Sequence, residues 1–148
     1  MQRYLLEITY DGTNYFGWQI QPNQKTIQGE IIKKISTLLN KKINLIGCGR
    51  TDTGVHAIKY FAHFDSDIEI DFENFLFKIN NFLNNEISIN HVYKVHKDFH
   101  ARFSANSRTY EYYISYKKDP FLYKISFPFF KDLDLELLNI GSNFFIGK

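Results

Sequence analysis

Cys48-Gly49-Arg50-Thr51-Asp52-Thr53-Gly54-Val55-His56-Ala57 is the stretch on which the fold turns. An apolar run at residues 43–46 leads into it as a strand. Lys59-Tyr60-Phe61-Ala62-His63-Phe64 leads out of it as the next strand. Between them, Gly49 and Gly54 bracket a core of hydroxyl, guanidinium and carboxylate groups. Glycine permits backbone angles and close approaches that other residues resist. Such a loop can present Arg50, Thr51 and Asp52 to a ligand lying against the main chain. A carboxylate beside a fixed cation stays ionised. Asp52 is therefore a candidate nucleophile or base rather than a general acid. The competing local reading is that Asp52 and Thr53 only close a turn, with Asp52 capping nearby amides.

Outward from this loop, residues 3–10 alternate towards Leu5, Leu6, Ile8 and Tyr10 and read as a first strand. Asp11-Gly12-Thr13-Asn14 is a turn signal. Tyr15-Phe16-Gly17-Trp18-Gln19-Ile20-Gln21-Pro22 follows as an aromatic loop, either a lid over one end of the core or a substrate contact. Thr26 then caps an amphipathic helix whose apolar stripe runs Ile27, Ile31, Ile32, Ile35, Leu38 and Leu39. Lys33, Lys34, Lys41 and Lys42 read as its solvated side. Helical spacing returns at residues 72–83, and residues 87–95 read as a fourth strand containing His91. Strand, helix, strand, strand, helix, strand is the split βαβ plan. The expected class is thus α+β, a ferredoxin-like antiparallel sheet with helices on one face. The expected division is a ferredoxin-like half carrying the Asp loop at residues 1–106. Residues 107–148 would hold a central strand and the start of a second half. In that region 109–116 alternates as a strand with Tyr110, Tyr112, Ile114 and Tyr116 on one face. Residues 121–130 read as a proline-broken loop or edge segment, and a helix starts at Asp134.

The chain of 148 residues is long enough to bury a core without staples. Its hydrophobic content of 44% and charged content of 23% are those of a soluble globular protein. One cysteine allows no internal disulfide, and Cys48 reads as a small buried residue at a strand end. With no leader pattern and no run long enough to span a bilayer, the expected compartment is the cytoplasm. A formal charge of +2 permits a nucleic-acid partner without demanding one. Aromatics make up 18%, enough to stack bases as well as fill a core. The only arginines are Arg3, Arg50, Arg102 and Arg108, and the last three fall in the motif stretches. Arginine's planar fork suits phosphate in a way lysine cannot copy.

Phe99-His100-Ala101-Arg102-Phe103-Ser104-Ala105 and then Arg108-Thr109-Tyr110-Glu111-Tyr112 form a second constellation. Two guanidiniums on a polar loop can clamp phosphates, and Tyr110 can stack on a base or exchange a proton. Both constellations resemble the TruA family of tRNA pseudouridine synthases. The likeness begins near residue 4, with Tyr10-Asp11-Gly12 and Gly17-Trp18-Gln19, and covers the whole sequence. It implies that Asp52 is the catalytic aspartate, with Arg50 pairing with it and holding the backbone of a flipped nucleotide. It puts Tyr110 against the target base, where it would handle the C5 proton, and Arg108 at the motif's arginine. The expected site is thus Asp52 as catalytic residue, with Thr51, Arg50, His100, Arg102, Arg108 and Tyr110 binding substrate. No metal and no cofactor are called for. The substrate implied is tRNA, at uridines 38, 39 and 40 of the anticodon arm, and the enzyme implied is a homodimer.

Pseudouridine formation breaks the N1–C1′ bond of uridine, turns the detached uracil and rejoins it through C5. Asp52 would be the nucleophile, at C1′ or at C6, or the base acting at the sugar. The target must leave its stack to reach such a pocket. The family has two related halves, and this sequence is expected to carry the first, as a truncated or shortened chain. The missing half would supply further pocket residues and much of the dimer contact, so an inactive fragment of the synthase is one alternative. A second is a non-catalytic RNA-binding module of the RRM type, which shares this strand–helix order but has no need of the Gly-Arg-Thr-Asp loop. A metal hydrolase built on Asp52, His56 and His63 or His100 would need a denser ligand cluster. Gly54 also argues against a helix that would align Asp52 with His56. His56 reads instead as an organiser of the loop that bonds the backbone.

Overall fold

The computed structural model describes residues 1–147; Lys148, part of the expected 107–148 region, lies outside them. Contacts divide the chain into two units, Met1–Arg108 and Thr109–Lys148.

In the first unit, strand β1 (Gln2–Tyr10) buries one face, Tyr4, Leu6, Ile8 and Tyr10, and Leu5 on the other face is buried as well. Helix α1 (Ile27–Leu38) starts where Thr26 Oγ1 accepts from the Gly29 amide at 3.3 Å. A cap of this kind contributes about 1 kcal/mol. Its residues Ile27, Ile31 and Ile35 enter the same core as the inward face of β1. Each such side chain stabilises the fold by roughly 1.5–3 kcal/mol. Helix α2 (Phe72–Phe82) is capped by Asp71 and adds Phe75 and Ile79 to that core. Both helices therefore cover one face of the sheet. Its strands are β1, β2 (Ile46–Gly47), β3 (Ala57–Ser66) and β4 (Ile87–Val95), in the order β2-β3-β1-β4, with antiparallel neighbours. The chain is mixed α and β, with an antiparallel sheet. Where β3 leaves the Asp loop, its register against β1 shifts, because Ile8 faces Tyr60 while Tyr10 faces Ala57. The Thr9 hydroxyl bonds the Ile58 carbonyl at that irregularity. Bulges of this kind re-aim a strand beside a functional loop.

The strand expected at residues 43–46 is displaced. Ile43 and Leu45 are buried, but ladder pairing begins only at Ile46. The Ile43 amide donates to Ser36 Oγ and the Leu45 carbonyl accepts from Gln28 Nε2. Side chains of α1 satisfy this backbone, so no strand partner is needed. The aromatic loop is not a lid: Tyr15 and Trp18 are core residues, and only Phe16 of the three aromatics is exposed.

In the second unit, strand β5 (Tyr113–Ser115) pairs in parallel with β6 (Ser126–Pro128), followed by helix α3 (Leu135–Ser142) and a 3-10 turn at Asn143–Phe145. The strand expected over 109–116 is therefore shorter, and Tyr110 and Tyr112 lie outside it, exposed. Alternation marks a face able to be buried, and here the described residues bury none of it.

Candidate active site

The Asp52 loop is held by its backbone from below. The Cys48 amide donates to the Phe61 carbonyl at 2.8 Å, and the Trp18 amide donates to the Thr51 carbonyl at 3.0 Å. The Gly54 amide reaches the Tyr15 carbonyl at 3.3 Å, and the Val55 amide closes a turn onto the Asp52 carbonyl at 3.2 Å. Two phenols complete the floor. Tyr60 donates to the Gly49 carbonyl at 2.6 Å, and Tyr10 and Thr51 share a hydroxyl bond at 2.9 Å. Tyr10, Trp18 and Tyr60 stack into one aromatic cluster, with the Trp18 and Tyr60 rings 4.2 Å apart. Burial pushes the Tyr10 phenol up to about 12 and also raises that of Tyr60, so both hydroxyls stay neutral.

Two glycines meet real backbone demands here. Gly17 has φ +77°, and a Cβ on it would sit 2.3 Å from the Thr51 carbonyl oxygen. Gly54 has φ +79°, the left-handed region open to glycine.

The side chains are treated differently from the backbone. Asp52 and Arg50 are exposed and Thr51 is half-buried. Among the described residues the Asp52 carboxylate takes no hydrogen-bond or ion-pair partner. It caps no local amide, and the expected pairing with Arg50 does not form. His56, expected to bond the backbone, instead faces the Asp11 carboxylate, Nδ1 to Oδ1, at 3.0 Å. Cys48 is half-buried against the core.

The second constellation reaches the same loop through Arg108. Its Nη2 donates to the Cys48 carbonyl at 2.7 Å and to the Arg102 carbonyl at 3.0 Å. Arg102 is exposed, with its guanidinium 5.7 Å from the Phe103 ring. His100 is half-buried and accepts at Nδ1 from the Arg102 amide at 3.2 Å. The first unit thus gathers Arg102 and Arg108 with the root of the Asp52 loop. Tyr110 belongs to the second unit and is exposed. Among the described residues no three His, Cys, Asp or Glu side chains converge as a metal site requires.

Sequence reasoning missed Tyr10 and Tyr60 as the floor of the loop. The signal was present: Tyr60 falls in step with Ala62 and Phe64 on the inward face of β3, so its hydroxyl had to end beneath the strand's entry loop.

A family model described as tRNA pseudouridine synthase matches residues 8–104. The chain is 45% identical over 139 residues to tRNA pseudouridine synthase A of Bacteroides thetaiotaomicron, covering 94% of this chain and 52% of that protein. It is 44% identical over 152 residues to the protein of that name from Caldicellulosiruptor saccharolyticus, covering 100% of this chain and 62% of the relative. For the Aquifex aeolicus protein of the same name the identity is 39%, covering 93% of this chain and 58% of the relative. The chain thus spans between about half and somewhat over three-fifths of the length of these relatives.

Proposed function

The chain belongs to the tRNA pseudouridine synthase family, and from that premise we propose that it carries the catalytic half of such an enzyme, with Asp52 as the reacting carboxylate. One observation carries the reading most directly. The backbone of the Asp52 loop is bonded to the rest of the fold at four residues, Cys48, Gly49, Thr51 and Gly54, while its carboxylate is exposed and takes no partner among the described residues. A side chain held in place but unused is what a substrate-facing group requires.

The reaction is an isomerisation of uridine in tRNA. The N1–C1′ bond breaks, the uracil turns in place, C5 bonds to C1′, and the C5 proton is lost while N1 gains one. Asp52 serves as nucleophile or as base at the sugar; both roles balance. Arg50 on the same loop, and Arg102 with Arg108 at its root, suit the phosphates flanking a flipped uridine. Thr51 is held by Tyr10 and fixes the loop from within. His100 orders the turn that presents Arg102. Tyr110 handles the C5 proton. The strand order β2-β3-β1-β4, with both helices on one face, supports the ferredoxin-like plan for residues 1–106, with residues 107–148 opening a second half. The substrate is tRNA at uridines 38, 39 and 40 of the anticodon arm, acted on in the cytoplasm by a homodimer. Among the described residues no helix is long and apolar enough to cross a membrane.

Tritium release tests the proposal. Unmodified tRNA transcript carrying C5-tritiated uridine is incubated with the chain and with its Asp52→Ala variant. Both are also joined to the C-terminal portion of a full-length relative. Release by the joined parent but not by its variant is expected. Continued silence from the joined parent overturns the synthase reading.

A further inference from the structure

Alternation along β3 puts Tyr60, Ala62 and Phe64 in the helix-side core and turns His63 to the opposite face. There it is covered by the turn at residues 99–104. His63 is only 1% exposed, and its Nδ1 accepts the Ala101 amide at 3.1 Å. Ala101 is itself buried, and the His100 ring lies edge-on to His63 at 4.8 Å. An accepting Nδ1 leaves the proton of a neutral ring on Nε2. That Nε2 is buried and has no hydrogen-bond partner among the described residues. A buried polar group without a partner is a standing cost, which phenylalanine or leucine at this position would avoid. What histidine offers in return is the acceptor under Ala101.

The consequence of that bond runs to the Asp52 loop. The 99–104 turn closes on itself, with the Ser104 amide donating to the His100 carbonyl at 2.8 Å and the His100 amide donating to Ser104 Oγ at 3.1 Å. Among the described residues, side-chain hydrogen bonds tie it to the sheet at two points. One is Arg3, held by Asp65 and donating to the Phe99 carbonyl at 2.7 Å. The other is His63. From the fixed turn, the Arg102 carbonyl holds the same Arg108 nitrogen that bonds the Cys48 carbonyl. We propose that His63 is a positioning residue: its Nδ1 seats the 99–104 turn, and through that turn it sets Arg108 at the root of the Asp52 loop. The effect on tRNA rests on the synthase reading above; the anchor itself does not.

Nitrogen-15 NMR of the unmodified protein tests the anchor without any variant. The expected signature is the Nε2–H tautomer at His63, a slowly exchanging Ala101 amide and a resolved Arg108 Nε–H signal. An Nδ1–H tautomer, or an Ala101 amide exchanging as in an open turn, overturns the proposal. Two variants then separate positioning from packing. His63→Asn keeps an acceptor near the place of Nδ1, and His63→Phe keeps a ring without one. In His63→Phe, Ala101 exchange should quicken and tRNA affinity should fall, each about fivefold to tenfold, as for loss of one neutral hydrogen bond. The Arg108 signal should broaden, while His63→Asn preserves all three. An unchanged Arg108 signal in a folded His63→Phe variant sinks the positioning role. If that variant does not fold, the parent and His63→Asn decide the matter. If the parent joined to the C-terminal portion of a full-length relative does not bind tRNA either, the synthase reading fails while the NMR result still judges the anchor.

Discussion

His63 shows how one residue couples charge to stability. Burial, chiefly, with Arg3 and His100 nearby, lowers its pKa from 6.5 to about 4, and the Asp65 carboxylate opposes this only in part. The folded protein therefore keeps the ring neutral where the unfolded chain would protonate it. Stability from this group is fully present above about pH 6.5 and is lost as pH falls towards 4, by up to about 3 kcal/mol. Asp65, held below the usual carboxylate range by its hydrogen bonds from Arg3, adds a loss in the same direction at lower pH. Urea midpoints measured between pH 7 and 4 should fall with a slope that His63→Asn flattens. Gly17 makes the complementary point for backbone. A Gly17→Ala change strains a positive φ and drives Cβ into the Thr51 carbonyl. It should cost about 1–3 kcal/mol in urea unfolding, and it should loosen the Thr51 end of the loop in amide exchange. The Gly-Trp pair was readable as punctuation, but the partner across the turn was not, since Thr51 lies far along the chain.

Among the elements, those that the sequence marks twice are the ones that came out as expected. Helix α1 has a stripe of isoleucines and a Thr26 cap, and β4 buries Ile87, Ile89 and Val92, with its alternation broken where its register against β1 shifts. Thr26→Ala should lower stability by about 1 kcal/mol in thermal or urea unfolding. Residues 43–46 carried only an apolar run, which cannot separate a strand from a segment bonded to a helix's side chains. Gln28 and Ser36 decided that case. The loop at 48–57 likewise depends on an element that sequence treats as separate. Tyr60 on β3 donates to Gly49 and also accepts from its amide at 3.4 Å. Tyr60→Phe deletes both bonds while leaving the ring in place. Amide exchange at Gly49 should quicken about fivefold to tenfold, and global stability should drop by about 1 kcal/mol. A comparable rise in exchange across all of β3 would contradict a local role for this hydroxyl.

Across the whole molecule, burial is uneven. Every buried residue lies in Met1–Arg108, and among the described residues of the second unit none is buried. Its strands and helix α3 still carry large apolar side chains, including Leu135, Leu137, Leu138 and Ile140 on the helix. Without burial, hydrophobic stabilisation has no surface on which to act. Hydrogen exchange on the full chain should therefore show strong protection confined to β1, β3, β4, α1 and α2, and rapid exchange throughout β5, β6 and α3. Protection of α3 equal to that of α1 would overturn this account.

The sequence by itself determined the local choices of its strongly patterned segments: the helices α1 and α2, the long strands β1, β3 and β4, the capping of α1 by Thr26, and the presence of a polar, arginine-bearing loop around Asp52. These follow from periodicity, capping chemistry and residue type, which act over a few residues. Only the tertiary structure decided that Asp52 remains unpaired while its loop is clamped by Tyr10, Trp18 and Tyr60. The same is true of Arg108, which bonds Cys48 across 60 positions of chain, and of His63, which seats the turn that carries Arg102. Each is a contact between distant residues whose geometry is set by strand register and by the face a side chain occupies. Neither quantity is written in any one stretch of the sequence.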